Sequence, residues 1–121
     1  MMKHTILILF LFLSLLCHGQ SYKFFTTDRE LSSSLINKIY QDRNGMIWIA
    51  TEDGLNRYDG AKFITYKHDP ENEYSLCHNY VRVLYEDSKG RLFVGTYNGI
   101  QLYDPETDSF SARAQWEDGK T

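Results

Sequence analysis

Short runs of apolar and aromatic residues, separated by aspartate and glycine, fill the chain from residue 36 to residue 114. The runs are too short for helices and are rich in the β-branched and aromatic residues that favour strands. Between them stand Asp-x-x-Gly, Thr-x-Asp/Asn-Gly and Asp-Gly, which are turn signals because aspartate caps its own turn and glycine accepts a positive φ. We therefore predict the following strands, joined by tight turns: INKIYQD, MIWIAT, GLNRYD and KFITYK, then VRVLYED, RLFVGT, GIQLYD and SFSARA.

The first four strands and the last four are two copies of one pattern, because a shift of 45 residues superposes Asp42 on Asp87. A repeat of this length indicates a structural unit that buries its faces by stacking on its neighbours. The second strand of each copy has mostly apolar residues on both of its faces. This is typical of an inner strand that neighbouring sheets cover on both sides. We therefore predict an all-β fold, with two four-stranded antiparallel meanders as blades of an incomplete β-propeller. A β-sandwich or an open stack of sheets is the alternative architecture.

The first nineteen residues have the composition of a secretory signal helix, which predicts a periplasmic location for the remainder. Lys3 supplies the positive charge, residues 6–16 are apolar, and Gly19 is a small residue at the cleavage point. The apolar run is shorter than the ~20 residues of a spanning helix, and an uncleaved N-terminal anchor is the alternative. The predicted organisation is a signal over 1–19, a segment with a closing outer strand over 20–34, blades over 35–74 and 75–115, and the start of a further connection over 116–121.

The net charge argues against one class of partner, and the number of cysteines argues against a disulfide-stabilised fold. The formal net charge is -3 and basic residues are scattered among the carboxylates, so we expect no nucleic acid to bind. Cys77 is the only cysteine outside the signal, so no disulfide can form within the secreted chain. We interpret Cys77 as a small, partly buried side chain, with a reactive or intermolecular thiol as the alternative.

Neither a cofactor nor a metal is expected. No Gly-rich phosphate loop, nucleophile elbow or kinase motif occurs in the sequence. His68, Asp69, Glu71 and His78 share one loop, but their spacing matches no metal-ligand motif.

The repeat also separates structural residues from candidate ligand residues. A residue that is the same in both copies is expected to have a structural role that every blade requires. A ligand site is expected to use residues that differ between the blades. We therefore assign these positions to the structure of the blades: Asp42, Gly45, Trp48, Thr51, Gly54, Tyr58 and Asp59, with Asp87, Gly90, Phe93, Thr96, Gly99, Tyr103 and Asp104.

The candidate ligand site lies where the turn between the second and third strands meets the link between the blades. In a meander these two connections are at the same end, and Glu52 and Tyr97 occupy equivalent, differing positions there. Tyrosine rings beside carboxylate, amide and imidazole groups suit the CH faces and hydroxyls of a sugar. The predicted ligand-binding residues are Glu52, Tyr97, Tyr74, His78, Asn79 and Tyr80. The alternative is that they are solvent-exposed loop residues that bind no ligand. No catalytic residue is assigned.

The stretch IYQDRNGMIWIATEDGLNRYDG resembles the repeat of the two-component regulator propeller family. That repeat reads aromatic-x-Asp-x-x-Gly-x-Leu-Trp-Ile-Gly-Thr-x-x-Gly-Leu-x-x-Tyr-Asp. In the second copy Phe93 replaces the tryptophan, while Gly95 supplies the glycine that is Ala50 in the first. The resemblance covers residues 22–115 and implies the N-terminal periplasmic region of a hybrid sensor histidine kinase, a class in which many members are implicated in detecting glycans.

Two blades are fewer than the about four to eight that close a propeller, so we interpret the chain as a truncated fragment of a larger sensor. The leading hypothesis is a ligand-sensing fragment whose ligand is a glycan and whose partners are the remaining blades of a parent protein. We expect no catalysis by the fragment itself, since it contains no kinase sequence. The parent would be anchored in the inner membrane. The alternatives are a protein-interaction or self-assembling module and, less favoured, a secreted propeller glycosidase or lyase fragment that uses Glu52.

An unclosed pair of blades leaves an apolar face open on each outer side, and repeat proteins usually need at least about three units. We therefore expect the isolated chain to be marginally folded or self-associated.

Overall fold

The computed structural model describes residues 23–24 and 30–112, and this part of the chain forms two four-stranded antiparallel sheets. Consecutive strands pair with each other in both sheets. The first sheet, blade 1, contains β1 (Ile36–Gln41), β2 (Ile47–Thr51), β3 (Gly54–Tyr58) and β4 (Phe63–Tyr66). The second sheet, blade 2, contains β5 (Val81–Glu86), β6 (Leu92–Thr96), β7 (Gly99–Asp104) and β8 (Ser109–Phe110). The all-β prediction of two four-stranded meanders is confirmed.

The last strand is shorter than the sequence pattern predicts. The pattern extends it over residues 109–114, whereas β8 ends at Phe110. The hydroxyl of Ser111 accepts the backbone N–H of Leu102 at 2.8 Å, where a carbonyl would continue the ladder. The backbone N–H of Ser111 still donates to the carbonyl of Leu102 at 2.8 Å, so the side chain replaces one of the two backbone bonds of this pair, and the regular pairing ends there. The predicted signal, most of the segment over 20–34 and residues 116–121 lie outside the described residues.

Aspartate and glycine form the turns between the strands. One oxygen of Asp42 accepts the backbone N–H groups of Asn44 and Met46, and Asp87 makes the equivalent pair of bonds one repeat later. The turn after β2 needs glycine, because Gly54 has a φ of +122° and an added Cβ would lie 2.9 Å from the carbonyl of Tyr66. The turn chemistry of the sequence is thus present in both blades.

The apolar core lies between the facing surfaces of the two blades, where β5 packs against β1 and β2. Trp48 is at its centre, with its ring centroid 4.7 Å from that of Tyr103 in an edge-on contact. Both blades contribute buried side chains to the same cluster: Trp48, Ala50 and Leu55 from blade 1, Leu76 from the link, and Val81, Leu84, Leu92, Val94, Tyr103 and Phe110 from blade 2. Each blade therefore buries one face against the other.

Four polar side chains, the inter-blade polar cluster, join the blades beside this core. The hydroxyls of Tyr66 and Tyr103 both donate to Oδ1 of Asp108, at 2.5 and 2.7 Å. Arg57 donates to the Tyr103 hydroxyl at 2.5 Å and lies 3.5 Å from the same carboxylate oxygen. A carboxylate from blade 2 is thus held by a cation and a phenol from blade 1.

Buried amides on the third strands hold the segments that lead into each blade. Asn56 accepts the backbone N–H of Ser32 and donates to its hydroxyl, at 3.2 and 2.8 Å. Gln101 is the equivalent residue and accepts the backbone N–H of Cys77 at 2.8 Å. Ser32 and Cys77 are themselves equivalent, and each side chain lies 3.1 Å from the hydroxyl of the threonine that ends the second strand. Cys77 is free and half-buried.

Candidate ligand site at one end of the blades

The turn between β2 and β3 meets the end of the link between the blades. The backbone N–H of Gly54 donates to the carbonyl of Asn79 at 2.6 Å. Beside this bond, the hydroxyl of Tyr80 donates to Oε1 of Glu52 at 2.9 Å. The two connections lie at the same end of the sheets because a meander reverses direction at every turn.

An aromatic cluster forms next to these bonds around Tyr97, the residue equivalent to Glu52. The rings of Tyr80 and Tyr97 stack, with centroids 4.2 Å apart and planes inclined by 27°. The imidazole of His78 meets Tyr97 edge-on at 6.0 Å, and the guanidinium of Arg82 lies 5.1 Å from the centroid of the same ring. Tyr97 remains 58% exposed, so the cluster presents much of this tyrosine to solvent.

Hydrogen bonding fixes the protonation of this cluster. The bond to Glu52, followed by the one to Tyr97, raises the pKa of Tyr80 to about 12. The hydrogen bond to Glu52 thus stabilises the protonated form of the Tyr80 hydroxyl, which is the donor in that bond. The backbone N–H of Tyr80 donates to Nδ1 of His78 at 2.9 Å, so a neutral His78 ring carries its proton on Nε2.

The structure brings five of the predicted ligand residues together and places the sixth elsewhere. Glu52, His78, Asn79, Tyr80 and Tyr97 meet at the end of the blades.

Tyr74 lies apart from them, and its placement at this site was wrong. Its carbonyl accepts the backbone N–H of Phe110, and it lines a cavity with Leu102 and the turns at the opposite end of blade 2. The reason is that the link runs back along β8 before it reaches β5.

Asn79 belongs to the framework of this site. Its side-chain oxygen accepts the backbone N–H of His68 at 2.7 Å, and its carbonyl accepts the N–H of Gly54. Arg82, by contrast, reaches the cluster although the sequence reasoning did not include it. A comparison of the copies could have found it, because the equivalent residue in blade 1 is Asn37.

The described residues contain no group of three or more His, Cys, Asp or Glu side chains placed to hold a metal ion. In the loop considered above, His68 instead shares a hydrogen bond with the carbonyl of Leu76 through Nδ1, and the carboxylate of Asp69 caps the backbone N–H of Glu71. Over the same ranges, no helix has the length and hydrophobicity to cross a bilayer.

Fold, turns and inter-blade packing together define a pair of β-propeller blades. Two segments of the chain, residues 30–53 and 75–98, match the family described as two component regulator propeller. Each blade therefore contains one segment that matches this repeat family.

Known proteins with a similar sequence or structure are much longer than this chain. Histidine kinase P4 of Formosa agariphila is 41% identical over an alignment of 73 residues, and the match covers 57% of this chain and 5% of the kinase. The extracellular domain of BT3049 of B. thetaiotaomicron, described as a hybrid two-component system, is 33% identical with a TM-score of 0.68, over 79% of this chain and 14% of that chain. The extracellular domain of BT4673 from the same organism shares the fold at 23% identity and a TM-score of 0.64, over 85% of this chain and 15% of that one.

Proposed function

We propose that the chain is part of the ligand-sensing region of a two-component sensor, that it lies in the periplasm, and that its ligand is a glycan. The observation that carries this proposal is the repeat match in both blades, together with similarity to a histidine kinase and to the extracellular domain of a hybrid two-component system. The parent protein would pass the signal to a kinase region, and the propeller would bind the ligand without catalysis.

The chemistry at the end of the blades supports a carbohydrate ligand. Exposed tyrosine offers an apolar ring and a hydroxyl, which match the CH groups and hydroxyls of a sugar ring. Glu52 adds acceptor oxygens, while the guanidinium of Arg82 adds donors in a planar fork. Because Tyr80 already stacks on Tyr97, a sugar would contact the exposed edge and hydroxyl of that ring.

The two carboxylates of the turn between β2 and β3 already have partners within the chain. Glycosidases that use two carboxylates hold them about 5 to 10 Å apart on either side of the bond that breaks. Glu52 accepts the Tyr80 hydroxyl, and the adjacent Asp53 is engaged by Lys67 at 2.9 Å. If the chain did hydrolyse a glycan, and Glu52→Gln abolished that activity, the binding-only role would be wrong.

Binding can be tested on the chain exported to the periplasm of a bacterial host, with neutral, uronic-acid-containing and sulfated polysaccharides as probes. For a polysaccharide that binds, we expect Tyr97→Ala to weaken binding at least about tenfold, equivalent to 1.4 kcal/mol. Tyr74→Ala is the matched control, because Tyr74 is similarly exposed at 53% but lies outside the site. Isothermal titration calorimetry measures both.

One outcome of this experiment tests where the ligand binds, and another tests whether the ligand is a glycan. Equal losses in both tyrosine variants would place binding elsewhere on the blades. No binding to any of the three polysaccharide classes would contradict the glycan assignment for this chain, while the repeat match would still define the fold.

A further inference from the structure

The carboxylate of Glu52 lies at the seam between the two blades, within the candidate ligand site. Its Oε1 accepts the hydroxyl of Tyr80 at 2.9 Å, which joins the β2–β3 turn of blade 1 to the residue that precedes β5 of blade 2. Beside it, the backbone N–H of Gly54 donates to the carbonyl of Asn79 at 2.6 Å. Glu52 is half-buried, so a bond across the seam holds the carboxylate while part of the residue remains open to solvent.

This part of the site offers hydrogen-bond acceptors to a ligand. The Tyr80 hydroxyl is the donor in its bond to Glu52, so its oxygen has only lone pairs left for a ligand. A carboxylate has about four lone-pair sites on its two oxygens, and Tyr80 uses one of them. Among residues 23–24 and 30–112, no other group donates a hydrogen bond to the Glu52 carboxylate. Its remaining acceptor positions are therefore available to donors of a ligand.

Glu52 has no ion-pair partner in the part of the chain that the structure describes. The neighbouring carboxylate, Asp53, is paired with Lys67 at 2.9 Å. The guanidinium of Arg82 lies against the Tyr97 ring, 5.1 Å from its centroid. A second negative charge placed against a carboxylate that has no counter-ion is unfavourable. Glu52 therefore disfavours a carboxylate or sulfate group of the ligand at this position.

Adjacent hydroxyl groups of a sugar match this arrangement. Each hydroxyl has one O–H donor, whereas an ionised carboxylate has only acceptors. The two oxygens of a carboxylate can bind two neighbouring donors at once, as they do with the paired N–H groups of arginine. Two free hydroxyls on neighbouring ring carbons present such a pair. A neutral sugar with both hydroxyls unsubstituted therefore fits the acceptors of Glu52, and its CH groups can contact Tyr97.

We propose that the site selects neutral glycans, and that Glu52 accepts hydrogen bonds from two adjacent hydroxyls of one sugar residue. This selectivity rests on the glycan-binding role proposed above. Glu52 is the residue that determines the class of glycan. Tyr80 is a positioning residue, because its hydroxyl orients the carboxylate from across the seam.

The test is isothermal titration calorimetry of the exported chain with polysaccharides of defined charge. Mannan, arabinan and xyloglucan are the neutral probes. Polygalacturonate carries carboxylates, carrageenan carries sulfates, and a chitosan oligomer carries amines. We expect a neutral probe to bind at least about tenfold more tightly than any charged one.

Two substitutions in the same turn distinguish Glu52 from its neighbour. Glu52→Gln keeps the size of the side chain but replaces one acceptor oxygen with an amide donor, so it should weaken binding of the neutral probe at least about tenfold. Asp53→Asn is the matched control, because it removes a charge that is paired with Lys67. It should change the dissociation constant by less than about twofold. If circular dichroism shows that Glu52→Gln is unfolded, Tyr80→Phe replaces it, since this change removes the donor to the carboxylate and keeps the ring.

Periodate oxidation tests the adjacent hydroxyls, because periodate cleaves the carbon–carbon bond between them. The neutral probe, oxidised and then reduced with borohydride, should bind the unmodified chain at least about tenfold more weakly. The same treatment should weaken binding to Glu52→Gln much less, since this variant has already lost the contact. Such non-additivity indicates a direct interaction between the side chain and the hydroxyls.

Failure of this proposal and failure of glycan binding give different results. If polygalacturonate, carrageenan or chitosan bound at least as tightly as every neutral probe, the chain would bind a glycan, but the selectivity for neutral glycans would be wrong. Unchanged affinity of Glu52→Gln for a neutral probe, or additive effects of the substitution and the periodate treatment, would show that Glu52 does not hold the hydroxyls. If none of the probes bound, the glycan-binding role would be contradicted, and the selectivity with it.

Discussion

Asp42 and Asp87 hold the same turn in the two blades, but the second oxygen of each carboxylate has a different donor. In blade 1 the indole N–H of Trp48 donates to Oδ2 of Asp42 at 2.9 Å. In blade 2 the equivalent of the tryptophan is Phe93, which has no donor, and Nε of Arg91 bonds to Oδ2 of Asp87 at 2.6 Å. A change at one repeat position is therefore compensated by a change at another.

This compensation predicts a rescue. Trp48→Phe removes the donor to Asp42 and leaves space in the core, so we expect a loss of about 2 to 4 kcal/mol in the free energy of unfolding. Met46 is the equivalent of Arg91, and adding Met46→Arg to Trp48→Phe should recover about 1 kcal/mol.

Urea unfolding of the single and double variants at one protein concentration measures the coupling energy of this pair. Met46→Arg alone is the control. It should destabilise, because the indole already occupies Asp42 and Met46 packs beside the core. Strictly additive effects would show that the two donor arrangements are not interchangeable.

The same residue-level comparison shows what the sequence could and could not predict. The turns follow from local aspartate and glycine patterns, so they were predictable from neighbours in sequence. The position of Tyr74 depends on how a fourteen-residue link (residues 67–80) runs along β8, and no local pattern encodes that path. The sequence indicates a small, partly buried Cys77, and the structure places it half-buried. Its equivalence to Ser32 explains why a thiol fits a site that a hydroxyl occupies in blade 1.

At the level of strands and turns, the β7–β8 turn connects the blades through Asp108. This residue has a φ of 51°, a region that aspartate tolerates better than most residues. Partial burial alone would raise the pKa of Asp108, but bonds from Tyr103 and Tyr66 and the charge of Arg57 outweigh it, so the pKa is lowered. The cluster therefore favours the ionised carboxylate in the folded chain.

This lowered pKa predicts loss of stability in acid. A carboxyl group whose pKa is lower in the folded state stabilises the fold above its unfolded pKa of about 3.9, and this contribution is lost as the pH falls through the folded value. Asp108→Asn replaces the carboxyl group with an amide that does not ionise. As the pH is lowered from about 6 to below about 3.9, the melting temperature of this variant should therefore fall less than that of the unmodified chain.

Differential scanning calorimetry across this range measures the difference. Glu71→Gln, on the exposed link, controls for removal of one carboxylate, and it should keep the pH dependence of the unmodified chain. Asp59 and Asp87 also have lowered pKa values, because backbone N–H groups bond to them. The test is therefore the difference between the variants, and identical acid profiles for Asp108→Asn and the unmodified chain would contradict the role of this cluster.

For the whole molecule, the shared core determines how the chain unfolds. Buried side chains of both blades form one cluster, and an isolated sheet with one open apolar face has little to stabilise it. The two blades should therefore unfold as one cooperative unit, although each is a complete meander in its hydrogen bonding. This behaviour differs from that of long repeat arrays, whose units can open separately.

Leu84 and Ile39 provide a matched pair to test this cooperativity, because they are equivalent residues with opposite environments. Leu84 is 5% exposed at the interface, whereas Ile39 is 59% exposed on the outer side of blade 1. Leu84→Ala should lower the free energy of unfolding by about 2 to 5 kcal/mol, and Ile39→Ala should cost within about 0.5 kcal/mol in dilute solution. Hydrogen exchange locates the loss: in Leu84→Ala the amides of β2 and β3 should lose as much protection as those of β6 and β7. If blade 1 kept its protection while blade 2 lost it, blade 1 would be stable without blade 2, and the two blades would not unfold as one cooperative unit.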